Sequence, residues 1–435
     1  MTEPFTRRSM LLATGAAALA VPAGAAQAVA ASSAGPGRQP ADLVGDLGVP
    51  PSDDIVPFRV HVPQSAIDDL RTRLAATRLP DRETAAGWAQ GAPLSRVRDL
   101  VRYWHDHYDW RRLERRLNGL PQFRTTIDGL PFHFIHVRSR HPGALPVVLT
   151  HGWPGSILEF LDVIGPLTDP VAYGGSASDA FDVVIPALPG FGFSGKPTET
   201  GWGLPRIARA WNTLMTRLGY ARYVAQGGDW GAGVTTWMAE QRPAGLAAVH
   251  LNLPVLFAPP PLAGDPTPAE QEALDQLSAF STYGSTYGSA YALVQETRPQ
   301  TIGYGLADSP AGQAAWIYEK LGQWSDSDLD PDRLFGRDRI LDNISLYWHT
   351  DTAASSARLY AESFSTDFRT LGLDVPVGVS VFPKETYRAP RVWAERTYSR
   401  LFYWNDDIPR GGHFAAFEQP DLFVTELRDC FRAIR

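Results

Sequence analysis

"VAQGGDWGAG", residues 224–233, is the stretch on which the fold turns. A short apolar run enters a glycine pair, and "VTTWMAEQ" follows with a helical pattern, so the segment reads as strand, sharp turn, helix. In Gly-x-Ser-x-Gly turns of this design the middle residue is a nucleophilic serine lifted out of the chain. Here Gly227, Gly228, Asp229, Trp230 and Gly231 put a carboxylate in that place. Either Asp229 is a nucleophile with different chemistry, or it is an acid in an ordinary loop.

The surrounding chain repeats the design. "LPVVLTHGWPGS" (145–156) and "FDVVIPALPGFGFSG" (181–195) are continuous apolar runs ending in Gly/Pro-rich loops. Buried parallel strands read this way, each delivering a loop to its carboxyl end. "VHLNLPV" and "VPVGVSVFPKE" supply two more strands. "FRTTIDGLPFHFIHVRS" alternates around Asp128-Gly129 and predicts a hairpin. From Ile55 to about Gln122 the pattern is helical, and residues 256–372 interrupt the strand rhythm with helical segments rich in Tyr and Trp. The expected fold is α/β: a mostly parallel sheet flanked by helices, a helical lid, and an N-terminal helical extension. The expected division is 1–28 export signal, 29–52 linker, 53–140 N-terminal extension, 141–255 first half of the core, 256–372 lid and 373–435 second half of the core.

The 435 residues are 44% hydrophobic, ample for a large core, and the net charge of −7 gives no basic footprint for nucleic acid. "RRLERR" (111–116) reads as a solvated helix face. Arg7 and Arg8, a mildly apolar Ala-rich run containing Pro22, and Ala26-Gln27-Ala28 resemble a twin-arginine export signal with a cleavage site, and a stable membrane span is not expected. Cys430 is the one cysteine, so an intramolecular disulfide framework is excluded. His105 and His107 point to different sides of a helix at this spacing, so no metal site is expected there.

A chemical constellation follows from the order of the candidates. After Asp229 come Glu385, behind the strand "VGVSVFP", and His413, in the glycine-rich loop "RGGHFAAFE". Nucleophile, acid, histidine is a known triad order. Asp406 and Asp407 are alternatives for the acid, though they read more easily as turn residues. The backbone N–H groups of Trp153, in "HGWPGS", and of Trp230 are the candidate oxyanion-hole donors; Pro154 has no N–H to give. A carboxylate is already ionised near neutral pH. It would attack an electrophilic carbon to form an alkyl-enzyme ester, and His413, held by Glu385, would be the base for the water that hydrolyses it.

Tyr283, Tyr287 and Tyr291 recur every four residues and share a helix face, so spacing alone leaves all three open as acid groups. "RVHVPQSAIDDLRTRL", "YWHDHYDW", "HGWPGS", "GGDWG", "TRPQTIGYGLADSPAGQAAWIYEKLGQWSD" and "RGGHFAAFE" together resemble a microsomal-type epoxide hydrolase of the α/β-hydrolase superfamily. The resemblance runs from about residue 53 to the C-terminus. It implies a cofactor-independent hydrolase that converts an epoxide and water to a vicinal diol, with two lid tyrosines that protonate the epoxide oxygen, and the apolar, aromatic lid residues suggest that the epoxide is hydrophobic. By motif position these are Tyr291 and Tyr360. A neutral phenol suits the task because its proton is present at pH 7. Haloalkane dehalogenases share the aspartate nucleophile and form the rival enzymatic reading. A non-catalytic binding protein on the same scaffold is the other.

Overall fold

The structure, a computed structural model, describes residues 53–257, 264–281, 288–363 and 371–435. The export-signal motif, the 29–52 linker, Tyr283 and Tyr287 lie outside the described residues.

Nine strands form one sheet among the described residues: β1 (Val56–Pro57), β2 (Gln122–Ile127), β3 (Leu130–Val137), β4 (Leu145–Thr150), β5 (Phe181–Pro186), β6 (Tyr223–Gly227), β7 (Leu246–Leu251), β8 (Val377–Ser380) and β9 (Leu401–Asn405). Their spatial order is β1-β2-β3-β5-β4-β6-β7-β8-β9. The first three strands and the β3–β5 pair are antiparallel; from β5 to β9 the sheet is parallel. Asp128 and Gly129 close the β2–β3 hairpin at φ 51° and 79°, the left-handed pair that a two-residue turn demands. The apolar runs of β4, β5 and β6 are buried almost throughout, because helices cover the parallel part of the sheet. Helix Trp230–Gln241 packs on β4, β6 and β7, and helix Pro420–Phe431 on β7 and β8.

The N-terminal region departs from an unbroken helical reading. Helices Gln64–Ala75, Leu94–Asp106 and Trp110–Asn118 bury the predicted stripes, such as Val97, Leu100, Val101 and Trp104. Between the first two, Pro80, Gly87, Gly91 and Pro93 hold the backbone out of helix, with positive φ at both glycines. Ahead of them, β1 adds an edge strand to the sheet.

The "RRLERR" helix is more than a solvated face. Arg112 reaches the buried Asp342 at 2.5 Å, and Arg116 reaches Asp162 at 2.6 Å. Arg96 meets Asp330 at 3.2 Å, and Tyr103 donates to Asp338 at 3.1 Å. The N-terminal segment therefore straps down the helical region between β7 and β8. Four of those helices begin with proline at their first position, Pro268, Pro299, Pro310 and Pro331, where the missing N–H costs nothing.

Candidate active site

The carboxyl ends of β4, β6, β8 and β9 deliver four loops to one place, as a parallel sheet does. Asp229 sits at the turn between β6 and its helix with φ 50° and ψ −131°, a backbone state that non-glycine residues rarely adopt. Its neighbours explain how the turn closes. A Cβ on Gly231 would stand 1.9 Å from the Thr150 carbonyl oxygen, so only glycine lets the helix start this close to β4. A Cβ on Gly152 would stand 2.0 Å from Asp229 Oδ1. Without it, the Trp153 N–H donates to that oxygen at 2.8 Å.

The second oxygen, Oδ2, lies 3.1 Å from His413 Nε2, and His413 Nδ1 lies 2.6 Å from Glu385 Oε1. Burial alone would drive this ring neutral. The two carboxylates outweigh burial and hold His413 well above its ordinary value, as an imidazolium that donates from both nitrogens. Glu385 is fixed in turn by the Thr386 N–H at 2.8 Å. Asp406 and Asp407, the alternatives for the acid, are exposed residues of the turn after β9.

Across from the carboxylate stand two buried phenols. The Tyr291 ring stacks on Trp153 at 5.3 Å and lies 5.9 Å from the Tyr360 ring. Tyr360 packs edge-on to Trp230 at 4.7 Å. Burial raises the Tyr291 phenol, and the Asp229 charge adds to the shift. Burial likewise raises Tyr360, with Tyr291 and Asp229 adding. Both are thus neutral proton carriers at physiological pH. Trp230 occupies the first helical position after the nucleophile candidate, where backbone N–H groups have no partner within the helix. Asp229, His413, Tyr291 and Tyr360 line a cavity of about 370 Å³ whose remaining wall is largely apolar, including Trp230, Leu253, Phe257, Leu277 and Phe280.

Residues 55–160 match the model for the epoxide hydrolase N terminus, and residues 146–295 the model for the alpha/beta hydrolase fold. A Stigmatella aurantiaca protein bearing the name "Putative epoxide hydrolase" is 60% identical over 381 residues, 88% of this chain and 86% of its own. Epoxide hydrolase 1 of Oryctolagus cuniculus is 35% identical over 419 residues, 90% of each chain. The chain belongs to the microsomal-type epoxide hydrolase family. A solved epoxide hydrolase from Aspergillus niger superposes on it with a TM-score of 0.77 at 33% identity, covering 88% of this chain and 98% of the other. The haloalkane dehalogenase and non-catalytic readings give way to an epoxide hydrolase with an α/β-hydrolase fold.

Several residues that shape this epoxide hydrolase site escape a reading of the sequence. Glu418 ends the quoted "RGGHFAAFE" yet draws no attention there. It accepts from the N–H groups of Gly412, Phe414 and Asp326 at 2.8–2.9 Å and so holds the His413 loop. Asn343 donates to the Pro154 carbonyl at 2.7 Å, and Tyr347 to that of Gly155 at 2.7 Å, which pins the Trp153 loop from the lid. Glu159, near Asp229 and His413, lines a small cavity of about 20 Å³, the room of one water molecule. Burial pushes its carboxyl up to about 8, with Asp229 adding and His413 opposing.

Proposed function

We propose that the enzyme opens a hydrophobic epoxide in two steps through an ester on Asp229, giving a vicinal diol. The observation that carries this reading is the division of labour around one carboxylate: Trp153 N–H holds Oδ1 at 2.8 Å, and His413 faces Oδ2 at 3.1 Å. Oδ2 attacks an epoxide carbon, the carbon–oxygen bond breaks, and Tyr291 or Tyr360 gives its proton to the departing oxygen. Oδ1 becomes the ester carbonyl oxygen, already seated on the Trp153 N–H, with the Trp230 N–H as the second donor for the tetrahedral intermediate.

Alkylation also prepares the second step. The Asp229 charge is one of the two that keep His413 protonated, and the ester carries no charge. Its loss lets the ring release its Nε2 proton to solvent and act as base toward water, with Glu385 holding the tautomer, and the proton taken from water returns from His413 to the departing alcohol oxygen. Water adds to the ester carbon, the carbon–oxygen bond to Asp229 Cγ breaks, and the diol leaves carrying one oxygen from the enzyme. The apolar wall of the 370 Å³ cavity supports a hydrophobic substrate of modest size.

A single turnover in ¹⁸O-water tests the scheme. The first diol released should be unlabelled at its new hydroxyl, and the label should appear in Asp229. A labelled first diol would establish direct attack by water instead.

A further inference from the structure

Tyr291 is poorly placed to be an acid on its own. Burial and the neighbouring Asp229 both disfavour the phenolate it becomes on giving up a proton. Attack by Asp229 removes the second obstacle during the same step, but burial remains. Negative charge arriving on the phenol oxygen therefore needs a positive partner away from water.

The structure supplies a cation at this ring. Lys320, on helix Pro310–Gln323, is only 4% exposed, which is unusual for a lysine. Its Nζ stands 4.6 Å from the centroid of the Tyr291 ring and 5.5 Å from that of Trp324. Burial lowers the ammonium from its ordinary value, and pairing with Glu319 Oε1 at 3.2 Å opposes that shift and favours the charged form. Ring electrons attract a cation, and the attraction grows as the phenol ionises, because a phenolate spreads its charge into the ring. An interaction stronger in the transition state than in the ground state accelerates the step.

We propose that Lys320 is a positioning residue for ring opening: its buried ammonium, held over the Tyr291 ring, stabilises the charge that the phenol oxygen takes on as its proton passes to the epoxide oxygen. The Tyr291 O–H bond breaks, the alcohol O–H forms, and the electron pair stays on the phenol oxygen until a proton from solvent restores it. The inference rests on the reading of Tyr291 as a proton donor. It adds a residue that touches neither the substrate nor Asp229 and acts through Tyr291 alone.

The test is a double-mutant cycle in single-turnover experiments with styrene oxide, timing alkylation by quenched-flow intact mass and hydrolysis by decay of the preformed ester. Lys320→Met should slow alkylation by about 10- to 50-fold, the range expected for a desolvated cation at an ionising ring. Ester hydrolysis should stay within about 3-fold of wild type, and Lys320→Arg should retain most of the alkylation rate, since one acts through charge at Tyr291 only. In a Tyr291→Phe background, Lys320→Met should cost less than about 3-fold, because the group it acts through is gone. Equal slowing in both backgrounds, or of both steps, would assign Lys320 to packing and overturn the proposal. If Tyr291→Phe alkylates at the wild-type rate, the proton-donor reading itself fails and the role of Lys320 with it. Glu319→Gln provides a check independent of how well Lys320→Met folds. It removes the carboxylate that favours the ammonium against burial, so relative to wild type its alkylation should slow at alkaline pH and recover as pH is lowered; a loss that no pH restores would count against a charge effect.

Discussion

Replacing Glu385 with glutamine should separate the two halves of turnover. The structure gives the scale. His250 is buried with no carboxylate on the ring, and burial alone carries it from 6.5 to about 3; His133 and His349 reach about 3 as well, burial leading and Arg124 and Arg111 adding. At about 1.4 kcal/mol per unit this burial penalty is roughly 5 kcal/mol, and Glu385 and Asp229 together outweigh it at His413. In the free Glu385→Gln enzyme Asp229 still faces His413, so attack on the epoxide keeps its geometry. In the alkyl-enzyme both charges are gone. A base weakened by about three units, with half the effect expressed at the transition state, loses roughly 30-fold. The glutamine amide pointed at Nδ1 also favours the tautomer with its proton on Nε2, facing the wrong way, which brings the expected loss in hydrolysis to about 10³-fold. Alkylation should change by less than about 10-fold, so the ester should accumulate. Rapid-quench kinetics with intact-mass detection measures both steps, and equal losses, or no accumulated adduct, would refute the reasoning.

Two further variants probe stability. Glu159 titrates near 8 in the folded chain against 4.5 as an ordinary glutamate, so between those values the unfolded chain releases a proton that the folded chain retains. Stability must fall as pH rises through that window, and Glu159→Gln should remove about 2–4 kcal/mol of the decline between pH 5 and 9; parallel denaturation profiles for variant and wild type would contradict this. Arg112→Met leaves the buried Asp342 with Tyr108 at 2.8 Å but no ion-pair partner among the described residues, and should cost about 2–4 kcal/mol by chemical denaturation. Adding Asp342→Asn should recover part of that loss, and a double variant no more stable than the single one would show that the charge is not its source.

The parts of the enzyme that rest on local rules are legible in the sequence. Glycine spacing around Asp229 marks the turn because a side chain at Gly231 would collide with a carbonyl oxygen. Asp128-Gly129 marks the hairpin because its φ values suit few other residues. Continuous apolar runs mark strands covered on both faces. Contacts between distant segments leave no such trace. Arg112 finds Asp342 across 230 positions, and nothing in "RRLERR" separates that arginine from its neighbours. Lys320 sits in a stretch that reads as ordinary helix, and only its burial sets it apart. The choice of Glu385 over Asp406 and Asp407 lies between these cases. Strand order favours Glu385, but the 2.6 Å contact with His413 depends on how β8 and β9 lie side by side.

In the proposed two-step scheme, the lid ties both steps to the same set of helices. Helix Arg337–His349 reaches down to the carbonyls of Pro154 and Gly155 through Asn343 and Tyr347, and so sets where the Trp153 N–H meets Asp229. The Trp153 ring in turn stacks on Tyr291, and the Trp324 carbonyl, just past the helix that carries Lys320, accepts the His413 N–H at 2.9 Å. In the proposed scheme, the acid for alkylation and the donor and base for hydrolysis are therefore positioned by the same helices. Those helices are tied by ion pairs to the N-terminal strap, with Arg112 on Asp342 and Arg96 on Asp330. A shift of the lid should thus degrade both steps together. Loss of a single group on it, such as the Lys320 charge or the Tyr291 hydroxyl, should degrade only one. That contrast is the physical basis for telling a positioning role from a packing role at this site.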